Sequence, residues 1–181
     1  MFADLRGRVL EIGAGEGENL PAFGDDVSWT AIEPDAGARR ELEREARRYG
    51  FVEEVIDARC EELPFSDKTF DAVVATLVFC SVTELARSFE EVMRVLKPGG
   101  TVACVEHVHA EKGSVRRLIQ SMATPLSVRW DGNCHWNRDP VSAAHAAGFR
   151  EQRLDRFELD TGVPFLPAPC ILYVGVKPLD R

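Results

Sequence analysis

Three glycines at alternate positions follow a short apolar segment near the start of the chain. Arg8–Ile12 predicts a strand that runs directly into the loop Gly13-Ala14-Gly15-Glu16-Gly17. Glycine permits the sharp turn and the close backbone approach that a bound ligand requires. We expect a helix just beyond this loop, whose free N–H groups and positive dipole end would suit a carboxylate or a phosphate. A plain strand-to-helix turn is the alternative interpretation.

An acidic residue stands at the end of the second predicted strand. Ser28–Ile32 is followed by Glu33, at a spacing from the glycine loop where a carboxylate accepts hydrogen bonds from both hydroxyls of a ribose. Ligands of such sheets bind beyond the carboxyl ends of the strands, and Glu33 belongs to that edge. The alternative is a solvated acid before a proline. Together, the loop and the acid predict a cofactor that contains a nucleoside.

The loop departs from the fingerprint of dinucleotide-binding proteins. Its spacing is G-x-G-x-G rather than G-x-G-x-x-G, and Glu11, Glu16 and Glu18 surround it. Their charges would repel a pyrophosphate over a few ångströms, whereas a cofactor with an ammonium and a sulfonium tolerates them. The residues therefore favour S-adenosylmethionine (SAM). A nicotinamide-dependent oxidoreductase is the less favoured alternative.

The order of the predicted elements indicates an α/β fold. The further predicted strands are Val52–Ile56, Phe70–Thr76, Thr101–Glu106, Phe149–Leu159 and Ile171–Lys177. Helices are predicted from the cap Asp35 to Gly50, along the apolar stripe Leu85–Leu96, and from the cap Asp139 to Gly148. This alternation implies a doubly wound, mostly parallel sheet with helices on both faces. Because no helix joins the last two strands, the seven-stranded sheet includes one antiparallel strand.

Composition excludes several classes of function. The 181 residues include 30 acidic and 22 strongly basic side chains, a formal charge of −8, which argues against general nucleic-acid binding. No apolar run approaches the roughly 20 residues that span a bilayer, and the N-terminus lacks a secretory apolar segment. Five cysteines without a C-x-x-C pair predict reduced thiols and no metal site. We expect a cytoplasmic protein without nucleic-acid or membrane partners.

Four ordered motifs resemble those of a known family. They are VLEIGAGEGEN from Val9, AIEPD from Ala31, EELPFSDKTFDAVVATLV from Glu61 and EEVMRVLKPGG from Glu90. These motifs resemble the class I SAM-dependent methyltransferases, in particular the small-molecule branch that includes the ubiquinone and menaquinone biosynthesis type. The segments TLVFCSV, RVLKPGGTVACVEHV and WDGNCHWNRD resemble more narrowly the thiol methyltransferase-like proteins.

The resemblance implies a set of cofactor contacts. Glu11, the glycine loop and Asn19 would line the methionine moiety, and Glu33 would hold the ribose. Family members often present an acid to the adenine where this chain has Arg59 and Cys60, so we expect backbone contacts there. The implied cofactor-binding residues are Glu11, Gly13, Ala14, Gly15, Gly17, Asn19, Glu33, Pro34, Arg59, Cys60, Thr76 and Leu77.

The chemistry of methyl transfer identifies the candidate catalytic residues. The reaction is an in-line displacement, which needs a base only if the acceptor must lose a proton. The resemblance places Thr76 and Leu77 near the methyl group. His107, which directly follows the fifth predicted strand, could act as the base or be hydrogen-bonded in its loop. Asp131 and His135 lie in a segment rich in aromatic residues and are candidates for orienting the acceptor.

The resemblance covers nearly the whole chain. We therefore expect a single SAM-dependent methyltransferase domain over residues 1–181, with 108–139 as a substrate-cap insertion. Either this insertion or a second copy of the chain would close the site, so a homodimer is one expectation. The predicted reaction methylates a small molecule, such as a thiol or a quinol, and releases S-adenosylhomocysteine. A SAM-binding regulatory or partner subunit without catalysis is the alternative.

Overall fold

A seven-stranded sheet forms the centre of the protein. The computed structural model describes residues 2–51, 55–110, 117, 135, 138–160 and 168–180. The strands are β1 (Gly7–Ile12), β2 (Val27–Ile32), β3 (Val55–Ile56), β4 (Phe70–Thr76), β5 (Leu96–His107), β6 (Arg150–Leu159) and β7 (Ala168–Val176). The α-helices among these residues are α1 (Ala36–Arg48), α2 (Leu85–Val95) and α3 (Pro140–Ala146). Part of the predicted third strand, 52–54, lies outside the described residues.

The order of the strands confirms the predicted fold class. Neighbours follow the order β3-β2-β1-β4-β5-β7-β6. The pairs among β1 to β5 are parallel, whereas β7 is antiparallel to both β5 and β6. The carboxyl ends of β1, β2, β4 and β5 therefore meet at one edge of the sheet, where Gly13, Glu33, Leu77 and His107 also lie.

Two apolar layers hold the sheet between helices. Side chains alternate between the faces of a strand, so Val9 and Leu10 pack into different clusters. Val9 lies in the cluster of Leu42 from α1, whereas Leu10 lies in the cluster of Phe89 from α2 and Ala144 from α3. Helices thus cover both faces, as the alternation of elements predicts.

Helix α1 begins and ends where its sequence predicts. The Asp35 carboxylate accepts hydrogen bonds from the N–H groups of Gly37 and Ala38, both at 2.8 Å. These bonds satisfy N–H groups that have no partner within the helix. Gly50 follows the last turn with φ +83°, a conformation that glycine adopts without a Cβ clash. The two caps fix the position of α1 directly after Glu33.

The segment after the glycine loop differs from the prediction. No α-helix lies between β1 and β2; the chain forms turns and a short 3₁₀ turn, Leu20–Ala22. Gly17 has φ +102°, outside the helical region, so a helix cannot include it. Phe23 is already extended, with ψ 140°, so the turn cannot continue as a helix. The expected helix N-terminus is therefore absent from this loop, and ligand binding there must rely on the loop and its acids.

Strand β5 begins earlier than the sequence predicts. Helix α2 ends at Val95, as expected, but the residues after it already pair within the sheet. The Gly99 N–H donates to the Lys177 carbonyl, and the Lys177 N–H donates to the Gly100 carbonyl, both at 2.9 Å. The run Lys97-Pro98-Gly99-Gly100, whose residue types are typical of a tight turn, is thus part of the strand, and β5 ends with Glu106 and His107 at the site edge.

Candidate active site

The glycine loop lies against the turn that follows β4. Gly13, Gly15 and Gly17 have φ values of +59°, +57° and +102°, which side chains rarely allow. A Cβ on Gly13 would lie 2.7 Å from Val78 Cγ2, and one on Gly17 would lie 2.6 Å from Leu20 Cδ1. Only glycine therefore fits this loop at its closest approaches.

The Glu33 carboxylate joins the loop to the end of β2. It is almost completely buried, with 7% exposure. Its Oε2 accepts a hydrogen bond from the Gly15 N–H at 3.0 Å, and its Oε1 accepts one from the Asp35 N–H at 2.8 Å. Each carboxylate oxygen has capacity for a further hydrogen bond, so both can still accept a ligand hydroxyl. The adjacent Pro34 is exposed at the same edge.

Arg39 fixes the backbone beside Glu33. Its guanidinium donates to the Glu33 carbonyl at 2.6 Å and to Asp57 Oδ2 at 3.0 Å. The two bonds join the end of β2 to the residue that follows β3. Nothing in the sequence marks Arg39 for these two bonds, because the arginines of α1 alternate with glutamates. Such a pattern is typical of a solvated helix face. The backbone that bears Glu33 is thus held independently of its side chain.

Glu11 is the centre of a buried polar network. Its Oε2 accepts a hydrogen bond from Trp29 Nε1 at 2.7 Å, and its Oε1 accepts one from Asn19 Nδ2 at 2.8 Å. The same amide lies 3.1 Å from Thr76 Oγ1. Burial raises the pKa of Glu11 to about 7, although the bonds from Asn19 and Trp29 oppose this shift. The network brings three of the predicted cofactor residues into direct contact.

The predicted adenine segment consists of one exposed residue, Arg59, and one buried residue, Cys60. Arg59 is exposed, and its backbone forms an isolated antiparallel β-bridge with Glu62. The Cys60 thiol is buried and donates weakly to the Ser88 carbonyl at 3.9 Å. Desolvation raises the pKa of Cys60 well above its ordinary value, so the thiol stays neutral and inert. The Cys60 side chain therefore faces the core, and a contact between its backbone and the cofactor stays a prediction.

Arg94 holds the loop that follows this segment. Its guanidinium donates to the carbonyls of Leu63 at 3.0 Å and Phe65 at 2.7 Å. It also pairs with Glu91 at 2.8 Å, and Glu91 Oε2 accepts the Leu63 N–H at 2.9 Å. Hydrogen bonding to Arg94 lowers the pKa of Glu91 and keeps it charged. These contacts fix a loop that sequence analysis located only by its motif.

The turn after β4 is strained at its first residue. Leu77 has φ +57°, which is unusual for a residue with a side chain, and 38% of its surface is exposed. Its N–H donates to the Val105 carbonyl at 2.8 Å. An exposed, strained leucine beside Thr76 lies at the position predicted to face the methyl group.

The Glu106 carboxylate accepts hydrogen bonds from the residues that follow Leu77 in this turn. The side chain is completely buried, and its Oε1 accepts the N–H groups of Val78 at 3.0 Å and Phe79 at 2.9 Å. Its Oε2 accepts the Cys80 N–H at 3.1 Å. Burial raises the pKa of Glu106 to about 7, against these three hydrogen bonds. In the sequence, the signal for this role of Glu106 is an acid at the end of an apolar strand.

His107 lies between two cysteines at the same edge. It is opposite Cys170 in the β5–β7 register, and its imidazole is hydrogen-bonded to the thiols of Cys170 and Cys80. These hydrogen bonds raise the pKa of His107 to about 10, with burial acting in the opposite direction. A protonated imidazole would supply a positive charge at this edge rather than a base, and the role of His107 in the reaction stays a prediction.

The segment before α3 returns to this turn. The His135 N–H donates to the Cys80 carbonyl at 2.8 Å. The Arg138 guanidinium donates to the Phe79 carbonyl at 3.1 Å and also to the Val82 carbonyl. Burial lowers the pKa of His135. Asp131 and most of the predicted cap, 108–139, lie outside the described residues.

Two other features are absent from the described residues. Among them, no group of three or more His, Cys, Asp or Glu side chains is arranged to hold a metal ion. None of their helices combines the length and apolar character that crossing a bilayer requires.

The fold and the site define a class of protein. A sheet in this order, with a glycine loop after β1 and an acid after β2, is the architecture of the class I SAM-dependent methyltransferases. The protein-family model for a methyltransferase domain matches residues 10–104, more than half of the chain. The chain belongs to this family, whose cofactor is SAM.

Comparisons with individual proteins agree with this family. The chain is 32% identical over 160 residues to thiol S-methyltransferase TMT1B of Rattus norvegicus, covering 84% of this chain and 66% of the relative. It is 29% identical over 191 residues to demethylmenaquinone methyltransferase of Clavibacter sepedonicus, covering 96% and 75%. The chain thus spans just under two thirds of the length of the thiol S-methyltransferase.

A solved structure shows the same fold. The SAM-dependent methyltransferase of Methanosarcina mazei superimposes with a TM-score of 0.78 at 21% identity, covering 99% of this chain and 96% of that one. This similarity concerns the fold alone, because so low an identity leaves the site residues free to differ.

Proposed function

We propose that this protein transfers a methyl group from SAM to a small-molecule acceptor, a thiol or a quinol. The observation that carries this proposal is the meeting of Glu33, Glu11, Thr76 and His107 at one sheet edge in a chain of the methyltransferase family. The relatives include thiol S-methyltransferases and demethylmenaquinone methyltransferases, which supports these two acceptor classes.

The residues of the edge fit the cofactor. The ribose is assigned to Glu33, whose oxygens each retain capacity for a hydrogen bond. The buried carboxylate of Glu11 and the amide of Asn19 suit the ammonium and carboxylate of the methionine moiety. Bound SAM supplies a methyl group already activated by its sulfonium. The proposed contacts are Glu11, Gly13, Ala14, Gly15, Gly17, Asn19, Glu33, Pro34, Thr76, Leu77 and the backbone of Arg59 and Cys60.

The protein's contribution to the reaction is position and charge. The acceptor atom must be held about 3 Å from the methyl group, in line and shielded from water. Leu77 and Thr76 supply this wall, and the protonated His107 supplies a positive charge beside it. A cation stabilises the thiolate or phenolate form of the acceptor, so its proton is lost to water more readily. Asp131 and His135 remain proposed acceptor-orienting residues.

A turnover assay tests the proposed function. We expect S-adenosylhomocysteine to form when the protein is incubated with SAM and a panel of alkyl thiols, aryl thiols and quinols. SAM binding by calorimetry without turnover on any acceptor would favour the non-catalytic SAM-binding subunit. Binding of NADH instead of SAM would favour the oxidoreductase.

Replacing His107 by glutamine tests the charge beside the acceptor. We expect kcat with alkyl thiols to fall about 10- to 100-fold, because these acceptors need help to ionise. An aryl thiol already ionised at the assay pH should lose less than about threefold, and the SAM dissociation constant should stay unchanged. Equal losses for both acceptors would contradict this role of His107.

The remaining proposals concern the setting of the enzyme. The charge of −8 supports a protein without nucleic-acid partners. The five cysteines without a C-x-x-C pair support a reducing compartment, the cytoplasm. Cell fractionation tests the location, and gel shift with duplex DNA and RNA tests binding. We also propose that residues 1–181 form a single domain, that residues 108–139 form its cap, and that the chain forms a homodimer. Light scattering of the purified chain with and without SAM measures the oligomeric state.

A further inference from the structure

Glu106 is a buried acid that lies outside the assigned cofactor contacts. Both of its oxygens are engaged, because three successive N–H groups, those of Val78, Phe79 and Cys80, converge on them at 2.9 to 3.1 Å. The side chain has no exposed surface. A buried carboxylate costs free energy unless it is fully hydrogen-bonded, so this arrangement specifies the turn closely.

The turn that Glu106 holds separates the cofactor loop from the acceptor side. On one side, Val78 packs against Gly13, where even a Cβ would lie only 2.7 Å from Val78 Cγ2. On the other side, the Cys80 thiol is hydrogen-bonded to His107. Leu77, at the start of the turn, exposes 38% of its surface. A displacement of the turn would therefore move the proposed acceptor wall.

The turn also needs an external support. Leu77 is in the left-handed region, a strained conformation that persists only where the surroundings enforce it. Its own N–H bond to Val105 fixes one end, and the three bonds to Glu106 fix the residues that follow. The His135 N–H and the Arg138 guanidinium also donate to carbonyls of the same turn, those of Cys80 and Phe79. Glu106 thus binds the N–H groups of the turn, while these two residues bind its carbonyls.

We infer that Glu106 is a positioning residue for the methyl acceptor: through the backbone of 78–80 it sets Leu77 and His107 at the distance from the methyl group that transfer requires. This inference rests on the proposed function. It assigns Glu106 to the acceptor side, because the Glu33 and Glu11 contacts of the cofactor side do not involve it. A general structural acid would instead affect both sides alike.

The test is Glu106→Gln, which keeps the size of the side chain but turns an amide N–H₂ toward the backbone donors. Misplacement of about 1 Å in a transfer site costs about 100-fold, so we expect kcat/KM for the acceptor to fall about 10- to 100-fold. The SAM dissociation constant should stay within twofold by calorimetry. A loss shared equally by SAM affinity and acceptor kcat/KM, or an acceptor kcat/KM within twofold of wild type, would overturn the inference.

Glu91→Gln provides a matched control. Glu91 is also a buried acid that accepts a backbone N–H, that of Leu63, but it lies at the predicted adenine side. We expect it to weaken SAM binding more than acceptor kcat/KM, the reverse of Glu106→Gln. Wild-type turnover is measured first, so absence of any turnover contradicts the proposed function rather than the role of Glu106.

Leu77→Gly keeps the test decisive if Glu106→Gln does not fold. Glycine adopts φ +57° without strain, so the variant should be at least as stable as the wild type apart from the lost side chain. It removes the proposed wall while leaving Glu106 in place. We expect the acceptor KM to rise about tenfold, and the SAM dissociation constant to rise by a smaller factor, because Leu77 is one of twelve proposed SAM contacts. Unchanged acceptor kinetics in Leu77→Gly would overturn the inference.

Discussion

The Glu33→Ala variant is expected to bind SAM at least about 100-fold more weakly than the wild type. The lost carboxylate is the proposed acceptor of two hydrogen bonds from the ribose, and hydrogen bonds to a charged group contribute about 1.5–3 kcal/mol each. Two such bonds amount to about 3 kcal/mol or more, which corresponds to a factor of about 100 or more in the dissociation constant. Calorimetric titration with SAM measures this loss directly.

Two control variants separate ribose binding from stability. The Glu33 carboxylate also accepts the N–H groups of Gly15 and Asp35, so its loss loosens the loop as well. Asp35→Ala removes the cap of α1 and should cost about 1 kcal/mol of stability without weakening SAM binding. Glu16→Gln removes an exposed charge from the loop and should change SAM affinity less than twofold. If Glu33→Ala and Asp35→Ala weakened binding equally, the ribose assignment would be wrong.

The bounds of α1 and α3 could be predicted because their signals are local. Asp35 and Asp139 both cap their helices through side-chain bonds to N–H groups within three residues, and Gly50 and Gly148 follow with positive φ. Such contacts depend on a few adjacent residues, which the sequence displays directly. The apolar runs of the strands are equally local, and their alternation with helices was enough to predict the sheet.

The missing helix after the glycine loop shows the limit of that reasoning. The loop motif predicts a helix, but Gly17 at φ +102° and the extended Phe23 leave room for only one 3₁₀ turn. Asn19 uses its amide on Glu11 and Thr76 rather than as a cap. A contact with a residue on another strand thus competes with the local preference, and the sequence gives no measure of such competition.

The candidate site could be predicted by position but not by partner. The motif indicates that Glu11 and Glu33 belong to the cofactor edge, because strand ends identify them. Trp29 Nε1 donates to Glu11, and three backbone N–H groups donate to Glu106. Only the register of the strands brings these donors and acceptors together. The contact of His107 with Cys170 has the same origin, since the two residues lie opposite each other on antiparallel strands.

The protein is expected to lose stability as the pH rises from about 5.5 to 8. Burial raises the folded-state pKa values of Glu11 and Glu106 from 4.5 to about 7. The folded state therefore binds more protons than the unfolded chain between these values, so their contribution is greatest below pH 4.5 and is lost as the pH rises through 7. A shift of this size corresponds to roughly 3 kcal/mol for each group at most.

Other titratable groups change how steeply stability falls with pH, but they do not reverse the direction of the change. The raised pKa of His107 acts in the same direction between its ordinary value and about 10. The lowered pKa values of His109 and His135 act in the opposite direction, because their protonation below pH 6.5 favours the unfolded chain. The acids with lowered pKa, such as Asp71 and Asp139, lose their contribution only below about pH 4. Between pH 6.5 and 8, Glu11, Glu106 and His107 therefore determine the slope.

Urea unfolding at intervals of half a pH unit measures this slope. We expect the free energy of unfolding to fall by a few kcal/mol from pH 5.5 to 8, with most of the fall above pH 6.5. Glu11→Gln fixes one of the two groups in a neutral form, so it should reduce the slope by roughly a third to a half. Glu16→Gln, which alters an exposed acid of the same loop, should leave the slope unchanged. A free energy of unfolding that does not fall over this range would contradict the raised pKa values of Glu11 and Glu106. It would mean that both buried acids are already ionised in the folded protein and add no pH dependence there, because the hydrogen bonds to their carboxylates outweigh the cost of burial.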